Sequence, residues 1–248
     1  MNFSLKGKTA IVTGGSRGIG AAIAETLGSS GANVIVVFNS NAQEAAKVVT
    51  AVEKAGGRAA AVKADVSQPA AGKTLFDAAE QQFGHAADIL VHAAGAILYK
   101  KIADTSDADF DKLMKLNTYG TFYLLRDAAT RLADGGRVIT FSSTTTKLML
   151  PTYGPYVATK GAVEQLTRVA AKEFGPRKIT VNCVSPGATA TELFLTGKSQ
   201  EQIDRNAAMT NFGRIGETGD MVGLVNFLAS DAAGWITGQV IACNGGVA

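Results

Sequence analysis

A chain of 248 residues with 46% hydrophobic and 18% charged side chains can bury a sizeable core, which excludes a disordered polymer and favours a single globular domain. Its 24 basic and 21 acidic residues leave a net charge of +3, and no run of Lys or Arg gathers that charge into a nucleic-acid or membrane patch. No apolar run approaches the ~18 residues of a membrane span, the start lacks the apolar stretch of a secretory signal, and Cys183 and Cys243 read as buried thiols, so a cytoplasmic protein with neither nucleic-acid nor membrane partner is expected.

Short β-branched runs alternate with alanine-rich amphipathic stretches, the pattern of repeated βα units around a parallel sheet. Strands are predicted over 9–13, 33–38, 58–64, 88–92, 137–141, 178–184 and 239–243, with helices between them. The runs are nearly continuous in apolar character, as when helices cover both faces of a sheet. No Pro-, Gly- or Ser-rich linker divides the chain, so residues 1–248 read as one doubly wound α/β domain with a seven-stranded parallel sheet.

The first strand runs into Thr13-Gly14-Gly15-Ser16-Arg17-Gly18-Ile19-Gly20 and then a helix. Glycines there let the backbone turn tightly and approach a pyrophosphate, which the helix N-terminus favours. Gly15 and Gly20 have the spacing of a phosphate-binding P-loop, but Ala21 and Ala22 replace its Lys and Ser/Thr, so that reading fails. Dinucleotide sites for NAD place an acid about 20 residues on, at the ribose 2′-hydroxyl. Here Asn39 and Ser40 follow the second strand and no acid precedes Glu44. With Arg17 they suit a 2′-phosphate, so NADP(H) is expected over NAD(H).

Further along, Asp107, Asp109 and Asp111 imitate the opening of a calcium loop, but Lys112 and Thr118 stand where its glycine and bidentate glutamate belong. The acids instead suit the positive end of a helix beginning near Ser106. His85 and His92, the only histidines, lack metal-ligand spacing, so no metal is expected. In Tyr156-Val-Ala-Thr-Lys160 a phenol and an ammonium stand four apart, on one face of a helix. A nearby cation is expected to lower the phenol pKa and make the tyrosine a general acid/base.

Together these residues resemble the short-chain dehydrogenases/reductases over essentially the whole chain, and within them the NADP-dependent carbonyl, 3-oxoacyl-acyl carrier protein and naphthol reductases. The family's Thr-Gly-x3-Gly-x-Gly matches Thr13, Gly14, Gly18 and Gly20, and its Asp-Val after the third strand matches Asp65 and Val66. Its Asn-Asn-Ala-Gly is replaced by His92-Ala93-Ala94-Gly95. Its active-site asparagine matches Asn117, and its serine, thirteen residues before the tyrosine, matches Ser143 rather than Ser142. The resemblance implies a Rossmann fold and a catalytic set of Asn117, Ser143, Tyr156 and Lys160. In that set Tyr156 exchanges a proton with the substrate oxygen, Ser143 hydrogen-bonds it, Lys160 tunes the phenol and holds the nicotinamide ribose, and Asn117 holds a water that links Lys160 to solvent.

The implied cofactor site comprises Gly14, Ser16, Arg17, Gly18, Ile19, Gly20, Asn39, Ser40, Asp65, Val66, Ala93, Ala94, Gly95, Tyr156, Lys160, Pro186, Gly187, Thr189 and Thr191. Gly14, Asn39, Asp65, Gly95, Ser143 and Pro186 each follow a different predicted strand, so they converge on the edge of the sheet where ligands bind. Related enoyl reductases place a tyrosine seven before the lysine. Tyr153 has that spacing, but the glycine motif differs from theirs, so Tyr153 is expected to wall the substrate site.

The resemblance makes the segment from about 189 to 212 a substrate lid, bearing Leu193, Phe194, Leu195, Met209 and Phe212. Ile97, Tyr99, Leu148, Met149 and Tyr153 are expected on the opposite wall, giving an apolar pocket for a hydrophobic or aromatic ketone. The expected function is NADP(H)-dependent hydride transfer between nicotinamide and a carbonyl or secondary alcohol. The alternatives are a 3-oxoacyl thioester reductase and a non-catalytic dinucleotide-binding regulator. Family members also form dimers or tetramers through two long helices, here spanning 107–133 and 153–174, which makes a homo-oligomer the expected state.

Overall fold

The computed structural model describes residues 3–248. Seven strands pair in parallel in one sheet: β1 (Thr9–Thr13), β2 (Asn33–Phe38), β3 (Arg58–Lys63), β4 (Ile89–His92), β5 (Arg137–Phe141), β6 (Thr180–Pro186) and β7 (Val240–Cys243). Their spatial order is β3–β2–β1–β4–β5–β6–β7. The winding reverses between β1 and β4, and such a reversal opens a crevice at the carboxyl ends of the strands. The helices are α1 (Gly18–Ser29), α2 (Ala42–Lys54), α3 (Ala71–Phe83), α4 (Asp107–Met114), α5 (Gly120–Arg131), α6 (Thr145–Leu148), α7 (Gly154–Glu173), α8 (Glu192–Leu195), α9 (Gln200–Ala208) and α10 (Gly219–Ala229).

Successive side chains of a strand point to opposite faces, so Ala10 and Val12 of β1 enter one core and Ile11 the other. The first core holds Ile23 and Leu27 of α1, Val48 of α2, and Val225 and Leu228 of α10. The second holds Leu75 and Phe76 of α3, Leu124 and Leu125 of α5, and Ala170 of α7. Covered on both sides, β1 and β5 are buried along their whole length. At the edge of the sheet β3 lacks that cover, and Arg58, Ala61 and Lys63 are exposed.

Several boundaries differ from expectation for local reasons. β3 ends one residue early, at Lys63, and β4 and β7 each begin one residue late. The sixth strand occupies Thr180–Pro186 instead of 178–184, because Lys178 leaves the short helix Gly175–Arg177 in a left-handed conformation, φ 58°. The helix expected over 107–133 is interrupted by a π-helical turn, Lys115–Tyr119, that carries Asn117. Such turns occur frequently at functional sites. Ser106 caps α4 by accepting from the Asp109 amide at 3.2 Å, and the Asp109 carboxylate pairs with Lys100 at 2.6 Å. Cys183 is buried, but Cys243, on the edge strand β7, is only half-buried. Among the described residues no helix is long and apolar enough to cross a membrane.

Candidate active site

The glycine turn is shaped by its own backbone. Gly14 leaves β1 at φ +65°, and a Cβ there would stand 2.9 Å from the Ala94 nitrogen. A Cβ on Gly20 would stand 2.2 Å from the Gly14 carbonyl oxygen. No side chain caps α1, so its first N–H groups remain available to a ligand. Free helical donors beside a cradle that no side chain can enter fit the pyrophosphate of a dinucleotide.

That turn walls a groove also lined by Asn39, Ser40 and Asn41 after β2, Asp65 and Val66 after β3, and Ala93, Ala94 and Gly95 after β4. Ser16, Arg17, Gly18 and Ile19 line it as expected, whereas Asn41 and Glu192 are additions that sequence reasoning missed. Asn41 carries a recognisable signal, because its side chain accepts from the Glu44 amide at 3.1 Å and caps α2. Burial works to raise the Asp65 carboxyl, but hydrogen bonds from the Ser67 hydroxyl and amide, with Gln68, outweigh it and hold Asp65 below its ordinary value.

His92, where the family has an amide, joins two strand ends. Its Nδ1 lies 2.7 Å from the Thr13 hydroxyl oxygen, which also accepts from the Ala94 amide at 3.2 Å. Burial and then the charge of Lys160 push the imidazole down to about 3, so it is neutral. Its Nε2 is buried with no partner among the described residues.

On α7, Pro155 occupies the first turn, where a missing N–H costs nothing. Tyr156 and Lys160 follow, both buried, with Lys160 Nζ 5.8 Å from the Tyr156 ring centroid. The ammonium donates to the Phe141 carbonyl at 2.8 Å. This overturns the expectation that Lys160 lowers the phenol. Burial instead pushes Tyr156 up to about 12, with the Ser143 hydroxyl opposing the rise and Tyr153 adding to it. Burial likewise brings Lys160 down to about 8. Ser143 Oγ accepts from the Thr145 hydroxyl at 2.9 Å, which leaves its own hydrogen for another acceptor. Ser142 also lines the cleft onto which Ser143 opens, but its hydroxyl is engaged, donating to Glu164 at 2.7 Å.

Asn117 sits beneath this group, 1% exposed. Its Oδ1 accepts from the Ala96 amide at 2.9 Å, and its Nδ2 donates to the Ala96 carbonyl at 2.9 Å and the Thr159 hydroxyl at 3.0 Å. Both amide hydrogens are therefore spent on protein atoms, and the side chain clamps the loop after β4 to α7. That clamp is the role its side-chain contacts describe. A Cβ on Gly95 would lie 3.2 Å from Asn117 Oδ1 and 3.5 Å from Lys160 Nζ, so the three residues are immediate neighbours.

Ser143, Tyr156 and Lys160 open on a second cleft, with Pro186, Gly187, Thr189 and Thr191 on its rim. Thr189 donates to the Gly187 carbonyl at 3.0 Å, and Thr191 caps α8 by accepting from the Phe194 amide at 3.3 Å. The far walls are Ile97, Tyr99, Leu148, Tyr153, Leu193, Phe194 and Met209, joined by Leu150, Asn206 and Val247, which the sequence did not flag. Three expected wall residues lie elsewhere. Met149, at φ 50°, is 76% exposed, Phe212 is 75% exposed beside Cys243, and Leu195 lies outside the lining. Lys198 Nζ packs 3.8 Å from the Tyr99 ring centroid and 4.8 Å from that of Phe194, which fastens the 189–212 segment to the opposite wall.

The two clefts share Ile19, Ala93, Gly95, Thr191 and Leu193, while Tyr156 and Lys160 line only the second, with Lys160 next to the shared Gly95. Among the described residues no cluster of His, Cys, Asp or Glu is placed to hold a metal.

Comparison with known proteins agrees with this geometry. The model of a family described as enoyl-(acyl carrier protein) reductase matches residues 14–248. NADPH-dependent aldehyde reductase 2, chloroplastic, from Arabidopsis thaliana is 46% identical, over 98% of this chain and 94% of that protein. A short-chain type dehydrogenase/reductase from Picea abies is 41% identical, over 98% of this chain and 93% of that protein. Among solved structures, an angucycline C-6 ketoreductase with bound NADP superposes with a TM-score of 0.93 at 38% identity, over 98% of this chain and 96% of that one.

Proposed function

The chain belongs to the short-chain dehydrogenase/reductase family, and from that premise we propose that its Tyr156, Ser143 and Lys160 carry out NADPH-dependent reduction of apolar or aromatic ketones. The observation that carries this reading is the shared wall of the two clefts, in which Gly95 stands next to Lys160, so that the dinucleotide groove adjoins the apolar pocket holding the buried phenol.

NADPH, when bound, supplies a hydride to the carbonyl carbon. The protein handles the proton. With its pKa raised by burial, Tyr156 keeps its hydrogen across the neutral range and can deliver it to the carbonyl oxygen. Ser143, with its hydroxyl hydrogen free, donates to the same oxygen. Lys160 is oriented by the Phe141 carbonyl beside Tyr156, where its ammonium can hold the nicotinamide ribose. Asn117 acts as a positioning residue that fixes Gly95 and α7 against each other.

Around the cofactor, the uncapped turn 14–20 holds the pyrophosphate, Arg17 with Asn39 and Ser40 meets the 2′-phosphate, and Asp65 and Val66 flank the adenine. Ala93, Ala94 and Gly95 leave room for the ribose that Tyr156 and Lys160 hold, and Pro186, Gly187, Thr189 and Thr191 receive the carboxamide. The segment 189–212 acts as a lid within a single catalytic domain.

The substrate class follows from the lining. Lys160 is the one cation in the pocket lining among the described residues and is already bonded to Phe141, while Lys198 at the edge is packed against the Tyr99 and Phe194 rings, so the largely apolar lining favours an apolar ketone over the phosphates of an acyl carrier. In assays that follow NADPH oxidation, aryl ketones should exceed 3-oxoacyl thioesters by about tenfold in kcat/KM, the value of roughly 1.4 kcal/mol of transition-state binding. The reverse order would identify a thioester reductase.

The protein acts as a homo-oligomer in this reading. Tyr119, Phe122 and Tyr123 pack edge to edge around the start of α5, and Tyr119 and Phe122 remain 46% and 47% exposed. Val169 on α7 is 54% exposed, and exposed apolar surface of this kind suits burial against a second copy. Phe122→Glu should lower the mass measured in solution toward that of one chain, and an unchanged mass would place the interface elsewhere. Both cysteines are unpaired thiols, which supports a reducing compartment such as the cytoplasm.

A further inference from the structure

We propose that Glu192 limits the preference for NADPH over NADH by competing with the cofactor's 2′-phosphate for Arg17. The inference rests on the reading that Arg17 receives that phosphate.

Arg17 stands at the start of α1 and donates from Nη1 to Glu192 Oε2 at 3.0 Å. Glu192 is the first residue of α8, so the pair ties the glycine turn to the lid. Both residues line the cofactor groove. Among the described residues of that lining Arg17 is the only cation, and Asp65 and Glu192 are the carboxylates. Asp65 is engaged by Ser67, which leaves Glu192 as the acid that meets Arg17. The one positive charge available to a 2′-phosphate is therefore already in use.

With side chains 71% and 70% exposed, the pair is open to exchange with an arriving anion. A phosphate monoester carries a charge of roughly −1.5 to −2 at pH 7 and draws Arg17 more strongly than one carboxylate does. The 2′-hydroxyl of NADH carries no charge and leaves the pair as it is. Only the phosphorylated cofactor thus frees Glu192, and the neighbours of Glu192, Thr191 and Leu193, line both clefts. Glu192 therefore restrains the preference for the phosphorylated cofactor and links its arrival to the start of the lid.

Calorimetric titration with adenosine 2′,5′-bisphosphate and adenosine 5′-monophosphate separates these effects from turnover. In E192Q the bisphosphate-to-monophosphate affinity ratio should rise about two- to fivefold, the size of an exposed ion pair, and the gain should shrink in high salt. R17Q should lower the ratio about tenfold, the scale of a charge-assisted contact to phosphate, and E192Q should add nothing in the R17Q background. An unchanged or lowered ratio in E192Q, with the R17Q loss intact, overturns the competition alone. An unchanged ratio in R17Q overturns the role of Arg17 and the competition with it.

Discussion

Tyr156→Phe is expected to lower kcat for carbonyl reduction by about 10²–10⁴-fold, the usual contribution of a positioned general acid, while NADPH binding persists. Phenylalanine keeps the ring that packs 6.5 Å from Tyr153 and 5.8 Å from the Lys160 ammonium, measured between centroids or to the centroid. Only the hydroxyl goes, and with it the proton that burial holds on the oxygen up to a pKa of about 12. Steady-state turnover measures the loss, and quenching of protein fluorescence by NADPH checks that the groove is intact. Near-normal turnover would remove Tyr156 from the chemistry and return attention to Tyr153, the phenol next to it in the pocket.

Gly20→Ala should weaken NADPH binding at least about tenfold and cost about 1–3 kcal/mol of stability, as overpacking of a filled site does. The new Cβ would meet the Gly14 carbonyl oxygen at 2.2 Å and its carbon at 2.7 Å, and both are backbone atoms of the phosphate turn. Relief requires moving the turn itself. Gly161→Ala is the control, since a Cβ there meets nothing within 4 Å and alanine favours a helix interior over glycine. Urea unfolding and fluorescence titration of the two variants should diverge sharply. Equal behaviour would mean that close approach at Gly20 does not shape the groove.

Much of the architecture is legible in the sequence because a parallel sheet covered on both faces forces continuous apolar runs. β1, β2 and β5 occupy the predicted residues without adjustment. The same logic locates the site, since a residue that follows a strand must lie at the sheet's carboxyl edge. Errors arise where a distant partner decides the local structure. The π-helical turn at Asn117 accompanies side-chain bonds to Ala96, twenty-one residues away. Spacing places Tyr156 and Lys160 on one helix face, but nothing local reveals that the ammonium turns to the Phe141 carbonyl. The phenol therefore rises with burial where proximity alone suggested a fall. Apolar character also proved a poor guide within loops, because left-handed backbone at Met149 directs one such residue outward while Leu150 beside it lines the pocket. Glu192 carries no motif at all, and only the folded chain places it beside Arg17.

The reading as a whole requires that the buried phenol of the apolar cleft act on a carbonyl reduced by a cofactor in the adjoining groove. Following the nicotinamide absorbance while NADPH is mixed with an aryl ketone, with product alcohol quantified in parallel, tests this most directly. The native protein is expected to form one alcohol for each NADPH consumed, with slower consumption of NADH, and Tyr156→Phe to show almost none. Consumption at the native rate by Tyr156→Phe, or none by the native protein across ketones, aldehydes and thioesters, would contradict it.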